Sequence, residues 1–260
     1  MGRVMKGKGR RREGPSREQL IAGVQPVAAV LRSAPDSIRW VWVARDSRNQ
    51  RVQDLALLAR DAGIELREEA RETLDHLSGI DHHQDIVAQL YEKAELGEHE
   101  LKEMLAGHHG APLLLVLDGV QDPHNLGACL RTAEAAGCDA VVIPKDRAAG
   151  LSPVVHKASA GASEIVPLYR VTNLARCLRT IKDAGLWLVG TTDQAEQSLY
   201  DADLGGPVAL VMGGEGKGLR RLTAEHCDFL VRIPMAGQIE SLNVSVAAGV
   251  CLFEIQRRRR

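Results

Sequence analysis

Three stretches in the C-terminal half of the chain set small residues beside one or two polar side chains just after apolar runs. They are Asn125-Leu-Gly-Ala-Cys-Leu-Arg131-Thr-Ala, Gly213-Gly-Glu-Gly-Lys-Gly-Leu219, and Ile233-Pro-Met235 followed by Ser241-Leu-Asn-Val-Ser245. Glycine permits left-handed backbone and close approach to a ligand, and the start of a helix offers unpaired N–H groups. Glu215 is the acid of the second stretch, with Lys217 two residues on. A phosphate loop is excluded, because Gly218 stands where Ser or Thr must follow the lysine, and the dinucleotide G-x-G-x-x-G spacing is absent. Asn125 and Arg131 are expected to look toward one side of a helix, with Gly127 and Ala128 leaving room for a neighbour. Each polar group also has a plain structural use. Asn125 could be a helix N-cap and Arg131 a solvated helix residue, and either Ser241 or Asn243 could cap the last helix.

The elements needed to carry these stretches are legible from periodicity. Residues 1 to 16 are Gly- and Arg-rich with little to bury, so a basic disordered arm is expected. Apolar residues from Leu20 to Leu31 recur at helical spacing. Trp40 to Ala44 reads as a strand, Val52 to Ala62 as a helix, Ile64 to Leu66 as a short strand, Arg71 to Leu77 as a helix, and Ile86 to Leu90 as a strand. Residues 92 to 111 are expected to form a charged linker, with a short helix at Glu100 to Leu105. From residue 112 strand and helix alternate: strands at 113–117, 140–143, 166–169, 186–190, 208–212 and 229–233, and helices at 125–136, 154–159, 174–184, 219–226 and 243–256. Such alternation predicts an α/β domain with a mostly parallel sheet covered on both faces, its binding crevice at the carboxyl ends of the strands.

With 260 residues, 45% apolar and 26% charged, the chain has the composition of a soluble globular protein of one large or two smaller domains. A net charge of -1 conceals a basic start and four closing arginines, Arg257 to Arg260, either of which could contact a polyanion. Cys129, Cys138, Cys177, Cys227 and Cys251 form no C-x-x-C pair and are expected to be reduced thiols of a cytoplasmic protein. No apolar run approaches the roughly 20 residues that span a bilayer, and the basic start lacks the apolar segment of a secretory signal. The histidines have no metal-ligand spacing, so no metal is expected.

Taken in order, N-x-G-A-x-x-R-T-A, G-G-E-G-K-G-L and I-P-M with S-L-N-V-S-V-A resemble the motifs of the SpoU (TrmH) branch of the SPOUT methyltransferases. The similarity runs from about Leu20 to the end and is greatest to the branch's 23S ribosomal RNA guanosine-2′-O-methyltransferases. His83-Gln-Asp-Ile-Val-Ala88 resembles the H-Q-G-I-x-A of their substrate-binding domain, with Asp85 where Gly is common. The resemblance implies a trefoil-knotted catalytic domain at 112–260, an L30e/L7Ae-like RNA-binding domain at 17–91, and a homodimer. It implies S-adenosylmethionine as cofactor and RNA as substrate, without metal or membrane. Gly213, Ile233 and Leu242, with Gly214 and Met235, match the cofactor-binding group. Asn125, Arg131, Glu215, Ser241 and Asn243 match the active-site positions. Arginine is often described as the general base of the family. An always-protonated guanidinium suits a different task, fixing a phosphate and favouring the forming alkoxide. Glu215 would then orient Arg131 or take the proton through water, and Asn125 and Asn243 would hold the ribose and loops. A transfer RNA substrate, a resistance-type ribosomal methylation, and a non-catalytic ribosome-assembly or RNA-binding factor stand as the alternatives.

Overall fold

The structure, a computed structural model, describes residues 20–79, 82–91, 95–214, 216, 218–239 and 241–260. The first unit contains β1 (Leu20–Ala22), α1 (Val24–Ser33), β2 (Ile38–Ala44), α2 (Gln50–Asp61), β3 (Glu65–Glu69), α3 (Arg71–Ser78) and β4 (Ile86–Leu90). The expectation of one helix from Leu20 is corrected here. Gly23 takes φ 105°, which ends an edge strand and starts the helix within a single apolar run. The sheet order is β1-β4-β2-β3, with β4 antiparallel to both neighbours and β2 parallel to β3. Val27, Val30 and Leu31 of α1 join Val52, Leu55 and Ala59 of α2 on one face, and Leu74 of α3 packs with Trp42 and Val87 on the other.

Asp85 occupies a position that favours glycine, with φ 68°. Its carboxylate accepts from Ser47 Oγ at 2.8 Å and pairs with Arg71 at 2.7 Å, which ties the turn to two other segments.

The segment expected to be a linker is packed into the second unit. Within it α4 (Glu98–Gly107) buries Leu101 and Leu105 beside Leu178 and Ile181. Glu98 accepts from the backbone N–H groups of Thr172 and Asn173 at 3.1 and 3.0 Å and bonds Arg176, and these contacts hold its carboxyl below the ordinary range.

The second unit continues as β5 (Leu113–Asp118), α5 (Pro123–Ala135), β6 (Ala140–Pro144), α6 (Pro153–Ala158), β7 (Leu168–Val171), α7 (Leu174–Asp183), β8 (Trp187–Thr191), β9 (Gln197–Ser198), β10 (Val208–Gly213), α8 (Arg221–His226), β11 (Phe229–Arg232) and α9 (Val244–Arg258). Its seven strands are all parallel in the order β7-β6-β5-β10-β8-β11-β9. The two-residue β9 has no sequence signal of its own. In central β5, Leu113, Leu115 and Leu117 enter the core under α5 and α9, while Leu114 and Val116 enter the core under α4 and α7. That two-sided burial is why the strand reads as an unbroken apolar run. Four cysteines are buried and Cys227 is half-buried, and none of the five is in a disulfide; burial pushes the thiols of Cys138, Cys177, Cys227 and Cys251 up to about 12.

Candidate active site

The carboxyl ends of β5, β8, β10 and β11 lie along one edge of the sheet, and the polar residues of interest gather there. Gly213 closes β10 in register with Asp118 of β5. The two glycines at this point are required by close approach. A Cβ on Gly213 would stand 2.0 Å from the Gly218 carbonyl carbon, and one on Gly214 would stand 2.4 Å from the Gly119 oxygen. The loop therefore folds back onto its own strand end while resting on the neighbouring one. Gly214 N–H donates to the Asp118 carbonyl at 2.9 Å. On the far side of the loop, Arg220 bonds the fully buried Asp118 carboxylate through Nε at 2.6 Å and through Nη2, and its backbone N–H adds a longer contact at 3.4 Å. The carboxylate holds this guanidinium above its ordinary value. Glu215 and Lys217 lie outside the described residues.

A cavity of about 1110 Å³ opens beside this loop, and Gly213, Gly214, Ile233, Met235, Ser241, Leu242 and Asn243 all line it. Its size suits an adenosine-bearing ligand. Its apolar wall comes from Ile233, Leu242 and Met235, and its floor is glycine backbone, so contacts would be made largely by main chain. Thr191, Thr192, Asp193 and Gln194 form a polar wall that had not been singled out from the sequence. The signal was available: a run of four polar residues directly after an expected strand, the same pattern that marked the glycine loop.

Asn125 and Asn243 meet across 118 positions of sequence. Asn243 Nδ2 donates to Asn125 Oδ1 at 3.0 Å, while Asn243 Oδ1 accepts from Ser245 N–H at 2.9 Å. Asn243 is thus both the cap of α9 and a member of the site, and Ser241 is not the cap. The possible capping role of Asn125 is corrected: Asp122 caps α5, with Pro123 opening the helix, and Asn125 lies inside the first turn with Nδ2 3.4 Å from Asp122.

Arg131 does not join this group within one chain. It is exposed, does not line the cavity, and has no hydrogen-bond or ion-pair partner among the described residues. Six residues turn a helix by about 600°, which puts Arg131 about 120° from Asn125 and corrects the expectation of a shared side. The room left by Gly127 is filled by α6, since a Cβ there would stand 2.4 Å from that of Ala158 and 2.9 Å from the Val155 oxygen.

Two family models match the chain. That of the SpoU rRNA Methylase family covers residues 112–253, and that for RNA 2′-O ribose methyltransferase substrate binding covers residues 20–95. The chain belongs to the SpoU methyltransferase family. One relative within it, the 23S rRNA (guanosine-2′-O-)-methyltransferase RlmB of Pseudomonas aeruginosa, is 52% identical over 94% of this chain and 98% of its own length. The SpoU methyltransferase AviRb of Streptomyces viridochromogenes, solved with the cofactor AdoMet, superposes with a TM-score of 0.76 at 26% identity, covering 92% of this chain and 90% of that one. The TrmH/SpoU tRNA modifying enzyme of A. aeolicus is 30% identical with a TM-score of 0.53, but spans only 62% of this chain and 82% of its own.

Proposed function

We propose that this SpoU methyltransferase transfers the methyl group of S-adenosylmethionine to the ribose 2′-hydroxyl of a guanosine in 23S ribosomal RNA. The observation that carries the reading is the single cavity collecting Gly213, Ile233 and Leu242 with Asn243, which reaches Asn125 on the helix that follows β5. The ribosomal substrate is favoured over transfer RNA by the first unit, which matches a substrate-binding family, and by the relative named for 23S rRNA, which matches 94% of this chain where the tRNA modifying enzyme matches 62%.

The residues divide the work by position. Gly213, Gly214, Ile233, Met235 and Leu242 hold the cofactor, which supplies an electrophilic methyl when bound, and Ser241 adds a hydroxyl to the rim. Displacement at that methyl requires the 2′-oxygen to be aimed in line and its proton removed. The Asn125–Asn243 pair joins α5 to α9 and fixes both against the cavity. Arg131, which lies outside the cavity of its own chain, would act at the second protomer's site in the homodimer, holding the phosphate beside the target ribose and favouring the developing oxyanion, with Glu215 orienting it or accepting the proton through water.

The active form is a homodimer in the cytoplasm. Support for the dimer comes from α9, where Val246 and Phe253 are 52% and 54% exposed two turns apart. Half-buried Gly249 and Val250 lie between them, so one apolar stripe is left without a cover. A trefoil knot in the catalytic domain rests on the resemblance to the SPOUT methyltransferases, and the late strand β10 between β5 and β8 fits such a sheet. The domains run from 17 to 91 and, with the α4 segment packed into it, from 95 to 260, preceded by a basic arm at 1–16.

Incubating the protein with methyl-labelled S-adenosylmethionine and ribosomal RNA from a strain lacking it should label one guanosine of 23S RNA. The modified linkage should resist alkaline hydrolysis, as a 2′-O-methyl group requires. Label in transfer RNA only would overturn the substrate, and label in no RNA would overturn the enzyme reading.

A further inference from the structure

Among the described residues, Gln84, Asp85, Arg147 and Ala160 adopt positive φ without being glycine. The first two spend their side chains on the fold: Gln84 Oε1 accepts from Val24 N–H at 3.0 Å, and Asp85 bonds Ser47 and Arg71. Ala160 leads into Gly161, which lies tight against Pro26 and Ala29 of α1. Arg147 is different. With φ at 58°, it holds an L side chain in the left-handed region, where the Cβ is crowded. Its side chain is nonetheless exposed and has no partner among the described residues. Glycine would relieve this backbone, so the fold gains nothing evident from arginine here, and strain of this kind clusters at functional sites.

The position supplies the use. Arg147 lies in the loop after β6, at the carboxyl edge of the sheet. Ala149 N–H donates to the Val120 oxygen at 2.9 Å, and the Arg147 oxygen stands 3.8 Å from where a Gly119 Cβ would lie. Gly119 in turn presses on Gly214 of the cofactor loop. Arg147, Gly119 and Gly214 therefore follow one another across the ends of adjacent β6, β5 and β10, two strand spacings or about 10 Å from end to end. The neighbouring cations Lys145 and Arg170 both bond Glu95, leaving Arg147 as the unpaired cation of its loop, with exposed Asp146 beside it.

We propose that Arg147 grips the phosphate backbone of the RNA flanking the ribose presented to the cofactor cavity, held outward by its left-handed backbone. The inference rests on RNA being the substrate. Arg147→Gly removes the guanidinium and relaxes the backbone, so the variant should melt at or above the unaltered protein's temperature and bind S-adenosylmethionine equally well. Its KM for ribosomal RNA should rise roughly tenfold, in line with the loss of one charge-assisted hydrogen bond. The slope of log affinity against log salt should become shallower by about 0.7 to 0.9, one phosphate contact. Arg147→Lys should recover much of the affinity and the slope. An Arg147→Gly protein with unaltered RNA affinity and slope would overturn the contact. So would a variant that loses cofactor binding in parallel, since Arg147 would then be shaping the neighbouring loop. Failure of the unaltered protein to bind RNA would overturn the substrate reading along with it.

Discussion

At the scale of single residues, the contact that organises the site is between two groups not chosen as candidates, Asp118 and Arg220. A carboxylate with no solvent exposure is stable as an ion only when its oxygens are bonded, and Arg220 supplies donors from Nε, Nη2 and its backbone. The pair ties the chain just after Leu219 to the end of β5, beside Gly213 at the end of β10. Removing one partner should therefore hurt far more than removing both. Arg220→Met should lower unfolding free energy in urea by about 3 kcal/mol, the low end for an orphaned buried charge because Arg220 itself is half exposed. Asp118→Asn combined with Arg220→Met should recover at least half of that loss, while cofactor affinity stays reduced. Equal destabilisation by the single and double variants would show that the carboxylate is not the group being satisfied.

At the scale of elements, α9 is fastened at both ends. Its N-terminus is held by Asn243 and Asn125, and its C-terminus by arginines that the sequence offered as contacts for a polyanion. Arg257 and Arg258 both bond Glu254, Arg258 reaches the Tyr200 oxygen, and Arg259 donates to the carbonyls of Ala111, Pro112 and Gly206. Of the four closing arginines, Arg257, Arg258 and Arg259 are thus engaged within the chain, although Arg257 stays largely exposed. Hydrogen bonds from Arg257, then Arg258, hold the Glu254 carboxyl at about 2, against an ordinary 4.5. A carboxylate bound more tightly as the ion when folded adds stability above its unfolded pKa and loses it as the pH falls toward the folded one. Stability should accordingly decline between about pH 4.5 and pH 2, and Glu254→Gln should flatten that limb of an acid titration followed by circular dichroism. An unchanged acid limb in the variant would remove Glu254 from the account.

At the scale of the whole molecule, Val246 and Phe253 face outward on α9, and Arg131 is exposed on α5, which packs against that helix. Phe253→Glu would set a charge in the middle of any interface built there. Sedimentation should then report a monomer, with α9 still packed through Ala248, Cys251, Leu252 and Ile255 on its buried side. A dimer of undiminished affinity would place the interface elsewhere.

Whatever depends on local pattern could be read directly from the residues. Strands buried on two faces read as apolar runs, helices end at glycines, and loops at strand ends announce themselves by small residues, so most elements and many residues that line the cavity were legible in advance. What only the tertiary structure decided depends on partners far away in the chain. Asn125 could not be assigned from spacing because its partner, Asn243, lies 118 residues away, and the cap it resembled is made by Asp122. The helix expected from Leu20 became a strand and a helix because β4 was there to pair with it. The room beside Gly127 went to a neighbouring helix, and the basic C-terminus went to carbonyls at the start of the catalytic unit. Period and composition fix which backbone is possible at a position; which group a side chain finally meets is set by chain segments that periodicity does not see.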